Sequence, residues 1–535
     1  MQRIKETTCG VERRCGGAPS ACPRVRWSVL LSTLLVSALP ALGQDLSRRI
    51  EASFNRRAAL AESAVSVRVS SIENGRLAAS FDDPGANGDG RRTLIPASNM
   101  KLLTTGAALL TLGPDYQFET TLLLDGDRLI LRGGGDPAFG DPALLRRSEP
   151  RMSTGELLER LAAAVEEVGG VDRVSEIIAD DRVFDREWTH PSWPRDQLNR
   201  SYAAEVAGVS FHTNVMTVVV RPSSLGAGNP PSYTLEPLPD SRATWIEMEN
   251  DATTSARQRS AISVFRPTPA NRFRLAGRVG LGSPAAADVA IHEPPTFAAN
   301  LLATYLSARG IRVGRGNEPS DAVRLAREDE RFDGAREIAR VTTSMANVLR
   351  RTNADSQNLY AESLFKLIAH ESTGAPGSFA GGAAVVRMLL NGRLGASHAA
   401  ATRIAEGSGL SRENLVSADT MAQWLAVVAR DEAAGPAMFA SLPSVGEGTL
   451  RSRFRDRRPQ NAVLAKSGTI RGVRCLSGYV IGARGHTSVA FSILCNDLND
   501  GRSIEAALRF HEDTVLAIDE WVTAQEKDAL GRVGG

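Results

Sequence analysis

Residues Leu102 to Leu112 read LLTTGAALLTL and follow directly on Ser98-Asn99-Met100-Lys101. A helix that is apolar nearly all round has to be covered on every side. The fold must therefore build layers around this segment and bury the lysine at its start along with it. With 535 residues, 42% of them hydrophobic, the chain has material for two or three packed domains.

Positions i and i+3 share a helix face, so the Lys101 ammonium group can approach the Ser98 hydroxyl. Burial disfavours the charged amine and moves its pKa toward a value at which it can act as a base. The bare pattern is weak, because Ser363 and Lys366 match it too. The choice of cation adds weight. Of 63 basic residues only five are lysine, at positions 5, 101, 366, 466 and 527. Lysine can lose its proton inside a protein and arginine effectively cannot.

Two further short patterns follow in order. Ser356-Gln357-Asn358 precedes an amphipathic helix, and Lys466-Ser467-Gly468-Thr469 ends an apolar strand-like run. A serine hydroxyl is a poor nucleophile until a base takes its proton, which is the role expected of Lys101 toward Ser98. Ser356 is expected to relay that proton to a leaving amine, and Asn358 to hold a substrate amide and Lys101. Lys466 supplies positive charge for a substrate carboxylate and disfavours a second charge on Lys101. Thr469 offers a hydroxyl to the carboxylate, and its N–H with that of Ser98 forms a candidate oxyanion hole. Ser467 accompanies it in the motif, and Gly468 lets a substrate backbone lie against the strand.

Together the three patterns, Ser-x-x-Lys, Ser-x-Asn and Lys-[Ser/Thr]-Gly, are similar to those of penicillin-binding proteins and serine β-lactamases. Further segments, EGSGLSRENLVS (406–417), GEGTLRSRF (446–454), GGGDPAF, DDRVFD and SYAAEVAGVSFHTN, resemble the class C low-molecular-mass penicillin-binding proteins over about residues 50 to 515. The resemblance implies a D-alanyl-D-alanine carboxypeptidase or endopeptidase acting on peptidoglycan peptides through an acyl-enzyme on Ser98, with β-lactams as covalent inhibitors. It also implies a pocket for a diamino-acid side chain, for which Arg412 and Asp180, with Asp181 beside it, are the matching residues. Glu406 stands where many relatives carry aspartate. The alternatives are a β-lactamase-like hydrolase and a non-catalytic wall-binding scaffold, although the latter would be expected to have lost its nucleophile or base.

The implied fold class is α+β: an antiparallel sheet with helices on both sides, the Ser98 helix central, interrupted by two nested inserted domains. Ser98 and Ser356 lie 258 residues apart, which calls for at least one insertion. The expected division is an export signal over 1–43, a discontinuous catalytic domain over 45–118 and 336–535, an inserted domain over 119–217 and 291–335, and a smaller β-rich domain over 218–290. Within the insert, ELLERLAAAVEEVG reads as a helix, whereas VMTVVVRP, ATWIEMEN, AISVFRP and RFRLAGRV read as strands.

Arg13, Arg14, Arg24 and Arg26 precede WSVLLSTLLVSALPAL, and Ala41-Leu42-Gly43 offers a cleavage site. That predicts export to the periplasm, with no anchor left after cleavage near Gly43. The segment carries six Lys/Arg against two Glu, so removing it turns a chain of net charge +2 into one near −2, which favours neither nucleic acid nor an anionic surface. Cys9, Cys15 and Cys22 leave with it. Cys475 and Cys495 flank an expected hairpin turning near Gly485, and stand either as a cross-strand disulfide or as two buried thiols. No histidine or cysteine spacing implies a metal, LRGGGDPAFGDP lacks the Gly-Lys-[Ser/Thr] of a phosphate loop, and no cofactor is expected.

Overall fold

The computed structural model describes residues 35–86, 91–238, 245–267, 269–316, 319–483 and 487–533. Most of the expected export signal, with its three cysteines, and the expected turn at Gly485 lie outside the described residues.

The first sheet is built from strands β1 (Ala64–Ser71), β2 (Leu77–Asp82), β3 (Ala462–Ile470), β4 (Val473–Ile481) and β5 (Val489–Asn496). All neighbours are antiparallel in the order β3-β4-β5-β1-β2. The central strands are buried on both faces: every residue of β5 and every residue of β1 from Ala64 to Ser70 is shielded from solvent. One face packs against helices α1 (Leu35–Asn55) and α5 (Gly501–Val533) through Leu46, Ile50, Phe54, Phe510 and Ile518. The other supports α2 (Met100–Leu112), α3 (Asn358–Thr373) and α4 (Ala418–Arg430), with Leu102, Leu103, Leu364, Trp424 and Tyr479 in one core. Every residue of α2 from Met100 to Leu109 is buried, so the apolar run sits at the centre of the domain.

Cys475 and Cys495 are free thiols. In the β4–β5 register Cys495 faces Arg474 and Cys475 faces Leu494. The cysteines are one residue out of step, and successive side chains point to opposite faces of a sheet. Cys475 therefore enters the α2 core and Cys495 the α5 core.

The insert leaves along Gln117–Asp125 and returns along Arg336–Ser344, two strands paired antiparallel. Both crossings lie side by side, so the catalytic domain closes without a gap. These strands belong to a second five-stranded sheet, with Arg128–Gly133, Glu176–Asp180 and Val323–Leu325. The expected helix appears at Thr154–Glu167, opened by a Ser153/Glu156 capping box. Two small sheets follow between Val215 and Ala290. Their core residues Val218, Leu275 and Val279 are continuous with Leu129, Leu157 and Leu302 of the surrounding insert. The expected boundary at 218 falls inside the strand Val215–Arg221, and among the described residues the β-rich part shares one buried cluster with the rest of the insert.

Gly106 fixes how closely α2 and α4 approach, since a β-carbon there would lie 2.6 Å from Trp424 Nε1 and 2.9 Å from Val428 Cγ2. Gly392, in the helix Phe379–Leu394, has open space instead. Chemical denaturation should find Gly106→Ala destabilised by about 1–3 kcal/mol through overpacking. Gly392→Ala should be stabilised by up to about 1 kcal/mol through helix propensity.

Candidate active site

The site is assembled where the first turn of α2 meets the edge strand β3. Ser98 lies in a 3-10 turn, Ala97–Asn99, that leads into α2. Ala97 is held at φ 46°, a left-handed conformation that costs a non-glycine residue about 1–3 kcal/mol and persists only where the surroundings enforce it. Asn99 Nδ2 donates to Ser477 Oγ of β4 at 2.6 Å, and Ser477 Oγ donates to Ser492 Oγ of β5 at 2.9 Å. The turn is thereby tied to the sheet. On its other side Gly468 of β3 leans against it: a β-carbon there would stand 2.7 Å from Pro96 O.

Lys101 is completely buried. Its Nζ donates to Asn358 Oδ1 at 2.6 Å and to Ser408 O at 2.7 Å, and lies 3.2 Å from Ser98 Oγ. Desolvation lowers its pKa to about 8, against opposing pulls from Glu406 and Glu362. A neutral amine has two N–H bonds and one lone pair. The two oxygen acceptors take both N–H bonds, so the lone pair is left for the Ser98 hydroxyl. Asn358 opens α3, and its Nδ2 donates to Tyr202 O at 2.7 Å, which fixes Oδ1 toward the lysine.

Lys466, also fully buried, donates from Nζ to Ser356 Oγ at 2.9 Å and to Ser467 O at 2.8 Å. Burial and the neighbouring Lys101 push its pKa well down. Ser356 sits at φ 60°, a second left-handed non-glycine residue beside the nucleophile. Ser98, Lys101 and Asn358 form one hydrogen-bonded set and Ser356 and Lys466 a second, drawn from three distant stretches of chain, with Lys466 close enough to Lys101 to feel its charge. Ser467 and the exposed Thr469 continue along β3, whose one sheet neighbour is β4. Its other edge is met at Leu464 and Ala465 by Ser444 and Pro443, and beyond them it runs past the Ser98 turn, with Gly468 against Pro96 and Asn99.

Arg412 reaches the mouth of this site and donates from Nη1 to Arg471 O at 2.8 Å, in the turn after β3. Asp180 is not brought there. Its carboxylate is taken by Arg132 at 3.0 Å and Arg182 at 2.7 Å, whose cations hold its pKa down against desolvation. It lies in a cleft with His370 and Gly374, at the far end of α3 from Asn358, about 18 Å away at 1.5 Å rise per residue. Asp181 is paired with Arg186. The reason is local: the arginines flanking the Asp-Asp pair in sequence and across the sheet neutralise it where it stands. Among the described residues no group of three or more His, Cys, Asp or Glu is placed to hold a metal ion.

Several groups at the site are not in the three patterns. The inserted chain from Phe184 to Ala203 runs alongside α3. Phe184 bridges Gly377 near the end of that helix, Lys366 donates to Glu187 O midway, and Tyr202 O receives the Asn358 amide at its start. The turn 406–409 supplies the Ser408 carbonyl, and the buried carboxyls of Glu362 and Glu406 stand behind it. Glu362 was discoverable in the sequence, since it lies four residues after Asn358 on the same helix face in an otherwise apolar stretch.

A nucleophile, a desolvated amine aimed at it and a second cation beside an edge strand define a serine acyl-transfer enzyme. Residues 46–515 match the model of the D-Ala-D-Ala carboxypeptidase 3 (S13) family, and the chain belongs to that family of serine-type hydrolases. It is 31% identical over 471 residues to a D-alanyl-D-alanine carboxypeptidase of an Actinomadura species, covering 84% of this chain and 81% of that one. It is 26% identical to the D-alanyl-D-alanine carboxypeptidase DacB of Haemophilus influenzae, covering 78% and 83%. The fold resembles the crystal structure of penicillin binding protein 4 from Haemophilus influenzae, with a TM-score of 0.67 at 22% identity over 89% of this chain and 99% of that one. The expected antiparallel sheet flanked by helices is borne out by this likeness.

The neutral form of Lys101 is the one with a lone pair for Ser98. Below its pKa the amine is protonated and the base is lost. Acylation by a fluorescent penicillin, followed against pH, should therefore fall as pH drops through about 8 and level off above it.

Proposed function

We propose that the protein is a periplasmic serine D-Ala-D-Ala carboxypeptidase and endopeptidase that forms an acyl-enzyme on Ser98 with peptidoglycan stem peptides. The observation that carries this reading is the Lys101 amine, whose two N–H bonds are spent on oxygens at 2.6 and 2.7 Å while Ser98 Oγ lies 3.2 Å away. The stem peptide lies along the edge of β3 and adds to it as a strand. Ser98 Oγ attacks the carbonyl carbon of the D-Ala–D-Ala bond and passes its proton to Lys101. The N–H groups of Ser98 and Thr469 hold the oxyanion. Ser356 delivers a proton to the departing amine, and water then releases the acyl group.

The terminal carboxylate of the substrate meets Lys466 and Thr469. Burial and the neighbouring Lys101 drive Lys466 toward neutrality, and an arriving carboxylate favours the charged form. Charge on Lys466 in turn opposes charge on Lys101, so carboxylate binding helps keep the base neutral. Arg412 is the cation proposed to meet the substrate's side chain, and Asp180, paired with Arg132 and Arg182, is left out of that role.

A solved structure of the Haemophilus influenzae protein is complexed with a novel β-lactam (TM-score 0.63, 22% identity, 86% of this chain and 98% of that one), which supports β-lactams as substrate mimics here. Export rests on the leader's composition. None of the described helices is long and apolar enough to cross a membrane.

Purified protein incubated with fluorescent penicillin should carry a covalent label that Ser98→Ala abolishes and that persists after the excess is removed. Lys101→Arg, permanently charged, should slow labelling by roughly 10²–10⁴-fold. Mass spectrometry of muropeptides should show loss of terminal D-Ala and opening of D-alanyl cross-links. Rapid loss of the label would indicate a β-lactamase, and no label on folded wild type would refute the acyl-enzyme.

A further inference from the structure

Behind Lys101, on the side away from Ser98, two carboxyl groups touch where neither is needed for the fold class. Glu362 on α3 and Glu406 in the following loop are both fully excluded from solvent and hydrogen-bonded to one another. Glu362 Oε2 accepts the Gly407 N–H and its Oε1 the Ser408 N–H, each at 2.8 Å. Glu406 accepts more: the Gly409 N–H at 2.7 Å, the Ser408 hydroxyl at 2.5 Å, Trp193 Nε1 at 3.3 Å and the Asn414 amide.

All these donors belong to or surround the turn 406–409, and the carbonyls of that turn face α2. Gly407 O accepts from Thr104 Oγ1 at 2.7 Å and Ser408 O from Lys101 Nζ at 2.7 Å. At Gly409 (φ +85°) a β-carbon would sit 1.8 Å from Ala97 O, so the turn rests directly on the residue before the nucleophile. The carboxyl pair holds the turn through its N–H groups, and the turn holds the lysine through its carbonyl.

Two carboxyl groups in contact and out of water cannot both be ionised. The larger donor set converges on Glu406, which is the better place for the negative charge. Glu362 is left as the acid, donating its proton to Glu406 while still accepting from the backbone. Burial and the Glu406 charge push Glu362 well above the usual carboxylate range. Hydrogen-bond donors and Lys101 hold Glu406 below it.

We infer that Glu362 and Glu406 are a positioning pair that shares one proton and presents a single negative charge to Lys101, setting through the 406–409 turn both the direction of its amine and the pH at which it becomes a base. The inference rests on Lys101 acting as the base toward Ser98. The other charged groups facing the pair and the lysine are Lys466 from β3 and Lys366, one turn beyond Glu362 on α3.

The test compares the pH dependence of penicillin acylation in the full-length wild type, Glu406→Gln, Glu362→Gln and Glu406→Asp. Removing the charge in Glu406→Gln lowers the Lys101 pKa, so its acidic limb should move to lower pH by about one to two units. Glu362→Gln exchanges one neutral group for another. Its limb should stay in place while the plateau rate falls, because the amide nitrogen cannot accept an N–H. Glu406→Asp keeps the charge and should return the limb to the wild-type position.

Infrared spectroscopy of the wild type at neutral pH should also show a buried protonated carboxyl band that Glu362→Gln lacks, which decides the shared proton even if Glu406→Gln fails to fold. An unmoved limb in folded Glu406→Gln, equal shifts in both glutamine variants, or absence of the band overturns the inference. A wild type that is not acylated at any pH would instead overturn the role of Lys101, with the infrared band still deciding the state of the pair.

Discussion

The structure depends on taking the Lys101 amine out of water without leaving it unpartnered. A buried, isolated ammonium group is expensive, and the domain meets that cost by surrounding Nζ with the Asn358 and Ser408 oxygens and Ser98 Oγ. Almost every large feature of the catalytic domain contributes to that arrangement. The five-stranded sheet and the neighbouring helices α3 and α4 cover α2. The glycines at 409 and 468 let a turn and a strand come within contact of the nucleophile's own turn. Left-handed Ala97, which leads into Ser98, and Ser356, whose hydroxyl accepts from Lys466, are strained points in this packing.

The insert is more than a separate lobe hung from the catalytic domain. Its chain returns along α3 and supplies the Tyr202 carbonyl that orients Asn358, and the Trp193 indole that donates to Glu406. Orientation of the base therefore depends on residues from both sides of the interruption. The second sheet and the small β sheets share one core, which gives this inserted chain a rigid support as it approaches the site.

Much of this was legible in the sequence. The three short patterns name the clustered residues because the chemistry admits few substitutes for a serine, a lysine able to deprotonate and an amide able to hold it. The apolar run after Lys101 announces a buried helix, and the apolar run ending at Lys466 announces the strand that carries it. What escaped depends on register and on partners. The fate of Cys475 and Cys495 turns on a one-residue offset in the β4–β5 ladder, which a symmetric hairpin does not foretell. Asp180 is drawn away by Arg132 and Arg182, one of which is 48 residues distant. The boundary at 218 fails because a core can be continuous where the local composition changes. Glu362 and Glu406 gain their meaning only once α3 and the 406–409 turn are packed together.

The most direct test of the central claim uses the scarcity of lysine. With only five lysines in the sequence, ¹³C labelling of the lysine side chains should yield a few separable resonances, and comparison with Lys101→Arg assigns that of Lys101. The account predicts that this resonance titrates near pH 8 and that the titration vanishes once Ser98 is acylated with the lysine held against the adduct. A Lys101 resonance that titrates near the ordinary lysine value of about 10.4 would contradict it, because the neutral amine that serves as the base for Ser98 would then be about 200-fold scarcer at neutral pH.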